Sequence, residues 1–150
     1  TGLRVGVGVA QGLAAAFDIP IIGVPSLDAL AYAIAPQACV LAAMDARMNE
    51  VFYAFFDTVN QQRLSDYCVA QASEIRLPEN FSQCVVVGNI PVSGSLKVVD
   101  YIEKMPTAGD FLRRTDSGRY AAHTAESISL LYVRNKIALT AAEQAQRRKE

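Results

Sequence analysis

Three charged residues crowd one predicted turn: Asp45, Arg47 and Glu50, within Met44-Asp45-Ala46-Arg47-Met48-Asn49-Glu50-Val51-Phe52-Tyr53. A carboxylate and a guanidinium at one hairpin tip can orient a phosphate or a metal. A surface ion-pair cluster explains the same residues more simply, and such a cluster is worth under about 1 kcal/mol. Tyr132-Val133-Arg134-Asn135 is a second polar group beside apolar neighbours. There Tyr132 can bury its ring while its hydroxyl finds a partner, and Arg134 can pair with a carboxylate or cap a helix C-terminus. Both groups read more readily as structural than as catalytic.

Other catalytic patterns are not present. His123 is the single histidine, and a lone histidine cannot build a multi-histidine zinc site. Cys39, Cys68 and Cys84 are odd in number and lack CxxC spacing, which argues against both a disulfide framework and zinc. Cys39 and Cys84 lie in apolar runs and are expected to be buried thiols. No GxSxG elbow occurs, Ser93-Gly94-Ser95 lacks the strand–turn–helix frame, and no GxxxxGK[ST] loop is present. No catalytic residue and no metal-ligand set is therefore assigned.

The elements that must position these residues follow from pattern. Residues 38–46 and 50–58 read as strands joined by Arg47-Met48-Asn49, where Asn49 tolerates a left-handed backbone. Residues 60–63 form a turn and 64–72 a weaker third strand, giving an antiparallel meander. Ser73 and Pro78 bracket a short helix or turn. Residues 83–87 are a buried strand ending at Gly88-Asn89, and 96–104 an edge strand or strand pair. Pro106 and Thr107 open a helix carrying Phe111 and Leu112, with Gly118 near its end. Upstream, residues 19–24 read as a short buried strand. Ser26 is the expected cap of a helix with Leu27, Leu30, Ala31 and Ile34 on one face.

The opening segment, residues 1–18, is rich in glycine and nearly free of charge. Val5, Val7 and Val9 alternate with Gly6 and Gly8 at strand period, but the longer window favours a helix. Gly2, Val5, Gly6, Val9, Gly12, Leu13 and Ala16 share one face, and Leu3, Val7, Ala10, Ala14 and Phe17 the next. Arg4, Gly8, Gln11 and Ala15 leave a narrow, more polar strip. Thr1 is the expected N-cap and Pro20 closes the segment. Gly6, Gly8 and Gly12 together cost such a helix roughly 2–3 kcal/mol relative to alanine. Close backbone approach to another element would offset that, either within the chain's own core or at a partner. A dinucleotide loop does not fit, because Gly6 to Gly12 is GxGxxxG, one residue too long.

The 150 residues are 51% apolar with 14 basic against 15 acidic side chains, a net charge of −1. This is a globular α/β chain without the electrostatic footprint needed to grip a nucleic-acid backbone unaided. Arg113-Arg114 and Arg147-Arg148-Lys149 read as solvated surface. No apolar run reaches membrane-spanning length and no secretory signal is visible, which predicts a cytoplasmic protein.

Four segments in order also resemble one family. Thr1-Gly2-Leu3-Arg4-Val5-Gly6-Val7-Gly8-Val9-Ala10-Gln11-Gly12-Leu13-Ala14 resembles the second half of the GSFTGLRIG…AKGLA segment of the bacterial TsaB (YeaZ) proteins. Ile21-Ile22-Gly23-Val24-Pro25-Ser26-Leu27 resembles their P-x-x-G-V-S-S-L, Asp45 to Tyr53 their DAR-x-GEVY hairpin, and Leu131 to Asn135 their P-x-YLR. Asn49 stands where glycine is usual and Leu130 where proline is usual. Because Thr1 falls inside the GSFTG motif, a fragment is expected, without the family's N-terminal strands and first helix.

The resemblance implies the actin-like ATPase (ribonuclease H-like) fold shared with acetate kinase, sugar kinases and Hsp70. Residues 1–36 would be the remnant of a first lobe, 37–135 a second lobe with a mixed sheet and flanking helices, and 136–150 a charged tail. It implies a non-catalytic scaffold subunit for a TsaD-type transferase that threonylcarbamoylates a tRNA adenosine next to the anticodon. A TsaE-type ATPase would be an accessory, ATP and metal would reside in the partner subunits and not in this one, and tRNA would be met only through the complex. A homodimer is expected in isolation. On the family pattern Arg4, Val5, Gly8, Val9 and Gly12 lie at the partner interface. The alternative is an enzyme in its own right, a glycoprotease-like metallopeptidase or an ATP-binding protein, with its ligand at Asp45, Arg47 and Glu50.

Overall fold

A computed structural model describes residues 2–92 and 96–133. Thr1, Ser93-Gly94-Ser95, Arg134, Asn135 and the expected tail at 136–150 lie outside the described residues.

The core is one mixed sheet. Strands β2 (Val40–Arg47) and β3 (Glu50–Asp57) form the predicted antiparallel hairpin. The third strand expected at 64–72 is only β5 (Cys68–Gln71), and Gln62–Arg63, expected as part of a turn, forms a short strand β4; both pair with β3. The break between them has a local cause: the Phe55 N–H donates to Ser65 Oγ at 2.9 Å instead of to a neighbouring strand. On the other side β6 (Cys84–Gly88) runs parallel to β2, and β7 (Val98–Glu103) runs parallel to β6 at the sheet edge.

The central strands are apolar on successive residues because the sheet is covered on both faces. Leu41, Ala43, Val51, Phe55, Cys84 and Val86 pack on one face with Ile75 and Val92. Val40, Ala42, Ala54, Phe56 and Val87 pack on the other, against Leu27, Leu30 and Ala31 of helix α2 (Ser26–Ala31). Cys39 and Cys84 are buried as expected, and desolvation pushes their thiols up to about 12 and about 11. Gly88 is required by contact: a Cβ there would sit 1.7 Å from the Ala43 carbonyl oxygen of β2.

Two helical expectations resolve differently. Ser26 does not cap α2. It is the first helical residue, and Pro25 holds the N-cap position, its carbonyl accepting from the Asp28 and Ala29 N–H groups. Helix α3 (Ala108–Thr115) is capped as its sequence indicates, Thr107 and Asp110 bonding reciprocally in a capping box. Gly118, at φ 67°, lies beyond the end of α3.

The opening segment is helix α1 (Gly2–Phe17). Asp18 turns left-handed at φ 50°, and the Ile19 N–H donates back to the Ala14 carbonyl at 3.1 Å, a Schellman-type ending before Pro20. The buried strand expected at 19–24 is only β1 (Ile21–Ile22), paired antiparallel with β8 (Ala122–His123). Ile19 and Ile22 remain 53% and 42% exposed, because the pairing is only two residues long.

Candidate partner-docking surface

Helix α1 buries one residue, Ala14. Val7, Ala10 and Gln11 are half-buried on the same side. The other side is apolar and open: Val5, Val9 and Leu13 are 60%, 59% and 53% exposed, and Leu3 and Phe17, on the inward face but at the helix ends, are 72% and 70% exposed. Beyond the helix's own backbone, no atom of the described residues lies within 4 Å of the Cβ position on Gly2, Gly6, Gly8 or Gly12. Nothing in the chain's own described residues therefore offsets the glycine cost of this helix. Burying one such side chain gains roughly 1–2 kcal/mol before the costs of association, so the open stripe holds enough apolar surface to drive docking. Monomeric soluble proteins rarely leave a stripe of this length uncovered.

Of the expected interface residues, Val5, Gly8, Val9 and Gly12 all lie on exposed backbone. The Arg4 guanidinium lies 5.8 Å from the centroid of the Tyr132 ring, inside the same chain. Tyr132 was expected to bury its ring, but it is 60% exposed, because it lies over α1 near the helix start and outside the core. Beneath the helix lies an apolar groove of about 500 Å³, lined in part by Gly6, Ala10, Ile22, Val24 and Ile128.

The charged hairpin lies at the far end of β2. Arg47, Met48 and Asn49 are all left-handed, at φ 63°, 55° and 61°. Side-chain oxygens take up the main-chain donors at the bulge between Asp45 and Arg47: the Arg47 N–H donates to Asp45 Oδ1 at 2.7 Å, and the Asp45 N–H donates to Asn89 Oδ1 at 3.0 Å. Asp45 and Arg47 are exposed and Glu50 half-buried. Among the described residues no three His, Cys, Asp or Glu side chains gather closely enough to hold a metal ion.

Sequence reasoning missed one polar cluster entirely. Asp28 of α2 is buried and accepts from the Tyr67 hydroxyl at 2.5 Å and the Tyr120 hydroxyl at 2.7 Å. Burial, followed by the bond to Asp28, pushes both phenols well above their usual range. Arg114 completes the group: its guanidinium carbon is 3.5 Å from the Tyr32 ring centroid, and it donates to the Tyr120 hydroxyl and to Gln61 Oε1. Arg114 was expected to be solvated with Arg113, but it is 7% exposed, its charge spread over a ring and two acceptors. The partners are up to 92 positions apart in the chain, so no local spacing announces them.

A mixed sheet flanked by helices, with an open apolar helix at one side, defines an α/β chain of the actin-like fold. Two solved structures share it. An uncharacterised Pseudomonas aeruginosa protein with similarity to peptidase YeaZ superposes at TM-score 0.74 with 25% identity, over 89% of this chain and 68% of its own. YeaZ from Pseudomonas aeruginosa gives 0.73 and 26%, over 88% and 67%. The family model for TsaD, tRNA N6-adenosine threonylcarbamoyltransferase, matches residues 1–107. The tRNA threonylcarbamoyladenosine biosynthesis protein TsaB of Haemophilus influenzae is 44% identical over 70 residues, 45% of this chain and 29% of that protein. The Escherichia coli protein of that name is 47% identical over 57 residues, 36% and 25% respectively. The chain belongs to the family that this model describes and, within it, to the TsaB (YeaZ) proteins. The aligned segments span less than a third of the two curated relatives.

Proposed function

We propose that the chain is a non-catalytic scaffold subunit that docks a TsaD-type transferase through α1 and so supports threonylcarbamoylation of a tRNA adenosine next to the anticodon. The supporting observation is the open apolar stripe of α1, with Val5, Val9 and Leu13 more than half exposed and its glycines uncovered. Gly8 and Gly12 let a partner helix approach the backbone closely. The names of the TsaB relatives supply the pathway.

On this reading ATP and metal belong to the partner subunits, a TsaE-type ATPase joins the assembly, and tRNA is reached through the complex. Without the transferase, the same stripe closes on a second copy to give a homodimer. Residues 1–36 belong to a first, docking lobe and 37–135 to a second. No helix among the described residues is long and apolar enough to cross a membrane, and a cytoplasmic setting suits the tRNA substrate.

The test is a pull-down of the TsaD-type subunit by the chain and by its Val9→Glu variant. A buried glutamate at the centre of the stripe should lower affinity at least a hundredfold while leaving the thermal midpoint of the sheet unchanged. Equal capture by both forms would remove α1 as the docking element.

A further inference from the structure

A helix that is apolar nearly all round has no preferred roll from burial alone, because the hydrophobic effect is non-directional. Turning α1 by one residue would present a different but equally apolar set. Something else must choose which side faces outward. The two polar side chains of the helix that reach other segments are Arg4 and Gln11, seven residues apart and so on one side of it. Both end on the same stretch of chain, the residues that follow α3. Gln11 Nε2 donates to the Ala125 carbonyl at 2.8 Å, and Arg4 stacks over Tyr132.

That stretch is built to hold its shape. Its start is pinned to α2 by the Tyr120 hydroxyl on Asp28. Ala122 and His123 then pair with Ile22 and Ile21. Thr124 to Ser127 closes on itself, the Ser127 and Ile128 N–H groups donating to the Thr124 carbonyl at 3.2 Å each and the Thr124 N–H to Ser127 Oγ at 2.9 Å. The Ala125 carbonyl is thereby held in place before Gln11 reaches it. Ile128 abuts Gly23, where a Cβ would meet its Cδ1 at 3.1 Å.

We propose that residues 120–132 form a strap that fixes the roll of α1 and so sets the strength of docking, with Gln11 as a positioning residue that need not touch the partner. This rests on the docking role proposed above. The strap anchors the helix at two points two turns apart, which fixes its tilt as well as its roll. The docking stripe is then presented in one orientation before a partner arrives, and pre-organisation of this kind raises affinity without adding contacts.

The test compares Gln11→Leu, which keeps bulk and loses the donor, with Gln11→Lys, which keeps a donor. Amide exchange of α1 is read in the free chain, and affinity is read with the TsaD-type subunit. Gln11→Leu should speed α1 exchange and weaken docking by about fivefold each, the scale of one lost hydrogen bond, and Gln11→Lys should restore both. Tyr132→Ala, read by exchange in the free chain, should also loosen the first turns of α1. Unchanged exchange in both Gln11→Leu and Tyr132→Ala would overturn the strap, as would a fall in affinity with unchanged exchange, which would make Gln11 a contact residue. Val9→Glu separates this outcome from the docking role itself: if that variant binds normally, the stripe is not the docking face, whatever the exchange data show.

Discussion

The first half of strand β2, Val40 to Ala43, and helix α1 are both built mainly of small and branched apolar residues, yet one is sealed and the other is largely bare. Val40, Leu41, Ala42 and Ala43 are all 0% exposed, whereas Val5 and Val9 are about 60% exposed. Composition does not separate the two, but position does. β2 is central, with β3 and β6 on its edges and a cluster on each face. Among the described residues α1 is covered along one narrow side, at Val7, Ala10, Gln11 and Ala14. An element apolar all round is either core or interface; β2 is core, and the proposed docking role makes α1 the other kind.

Identical substitutions at matched residues put the contrast to the test. The largest effect is expected at glycine. Gly88→Ala forces a methyl to within 1.7 Å of the Ala43 carbonyl oxygen, which parts β2 from β6. It should cost about 4 kcal/mol or more, or prevent folding. A Cβ at Gly12 meets nothing within 4 Å among the described residues beyond its own turn of helix, so Gly12→Ala should stabilise the free protein by roughly 0.5–1 kcal/mol. The same change should weaken docking, because it fills the space a partner backbone would use. Chemical denaturation of both variants, with affinity for the TsaD-type subunit, checks the pair. A Gly12→Ala variant that both gains stability and docks normally would show that the glycine is not there for close approach.

Phenylalanine gives the next largest difference. Phe55 is 2% exposed in the sheet core, and Phe55→Ala should cost about 3–5 kcal/mol in urea unfolding. Phe17 is 70% exposed, and Phe17→Ala should shift stability by no more than about 0.5 kcal/mol. If Phe17→Ala proved as costly as Phe55→Ala, α1 would belong to the core and the contrast would vanish.

What could be read from the residues follows the same divide. The β2–β3 hairpin, β6, an edge strand near β7 and the start of α3 are visible because each carries its own local code: apolar, aromatic and β-branched runs, a turn at Asn49, and Pro106-Thr107 opening a helix. The two-sided apolar pattern of α1 also announced a helix needing cover beyond one face. Contacts between residues distant in the chain were not legible. Nothing in the residues around Asp28 marks it out, and only the fold brings Tyr67 and Tyr120 onto it. Arg114 looked solvated beside Arg113 because charge at i and i+1 says nothing about which of the two turns inward. Ser65 broke the third strand by taking the Phe55 N–H, a tertiary competition that no propensity records. The anchors of α1 at Ala125 and Tyr132 were hidden in the same way.

The smallest effect separates the two longer helices by pH. Asp110 caps α3 and is buried, and its carboxyl is held well below the usual range by the Thr107 N–H, by the Thr107 hydroxyl, by Arg113 and by Lys104, against the opposing effect of burial. A folded-state value depressed below the unfolded one, near 3.9, contributes stability that is full above that value and drains away as pH falls below it. Between neutrality and about pH 5 this contribution should be flat. Below about pH 4 the chain should lose stability, by up to roughly 1 kcal/mol from loss of this cap. Asp110→Asn should lose a similar amount at neutral pH and abolish that part of the acid slope. Helix α1 has no acidic residue in its first turn, so amide exchange in acid should loosen α3 before it changes α1. Loss of protection in α1 first would mean that this helix is held by titrating groups, and its attachment through a neutral amide at Gln11 and an arginine at Arg4 would be wrong.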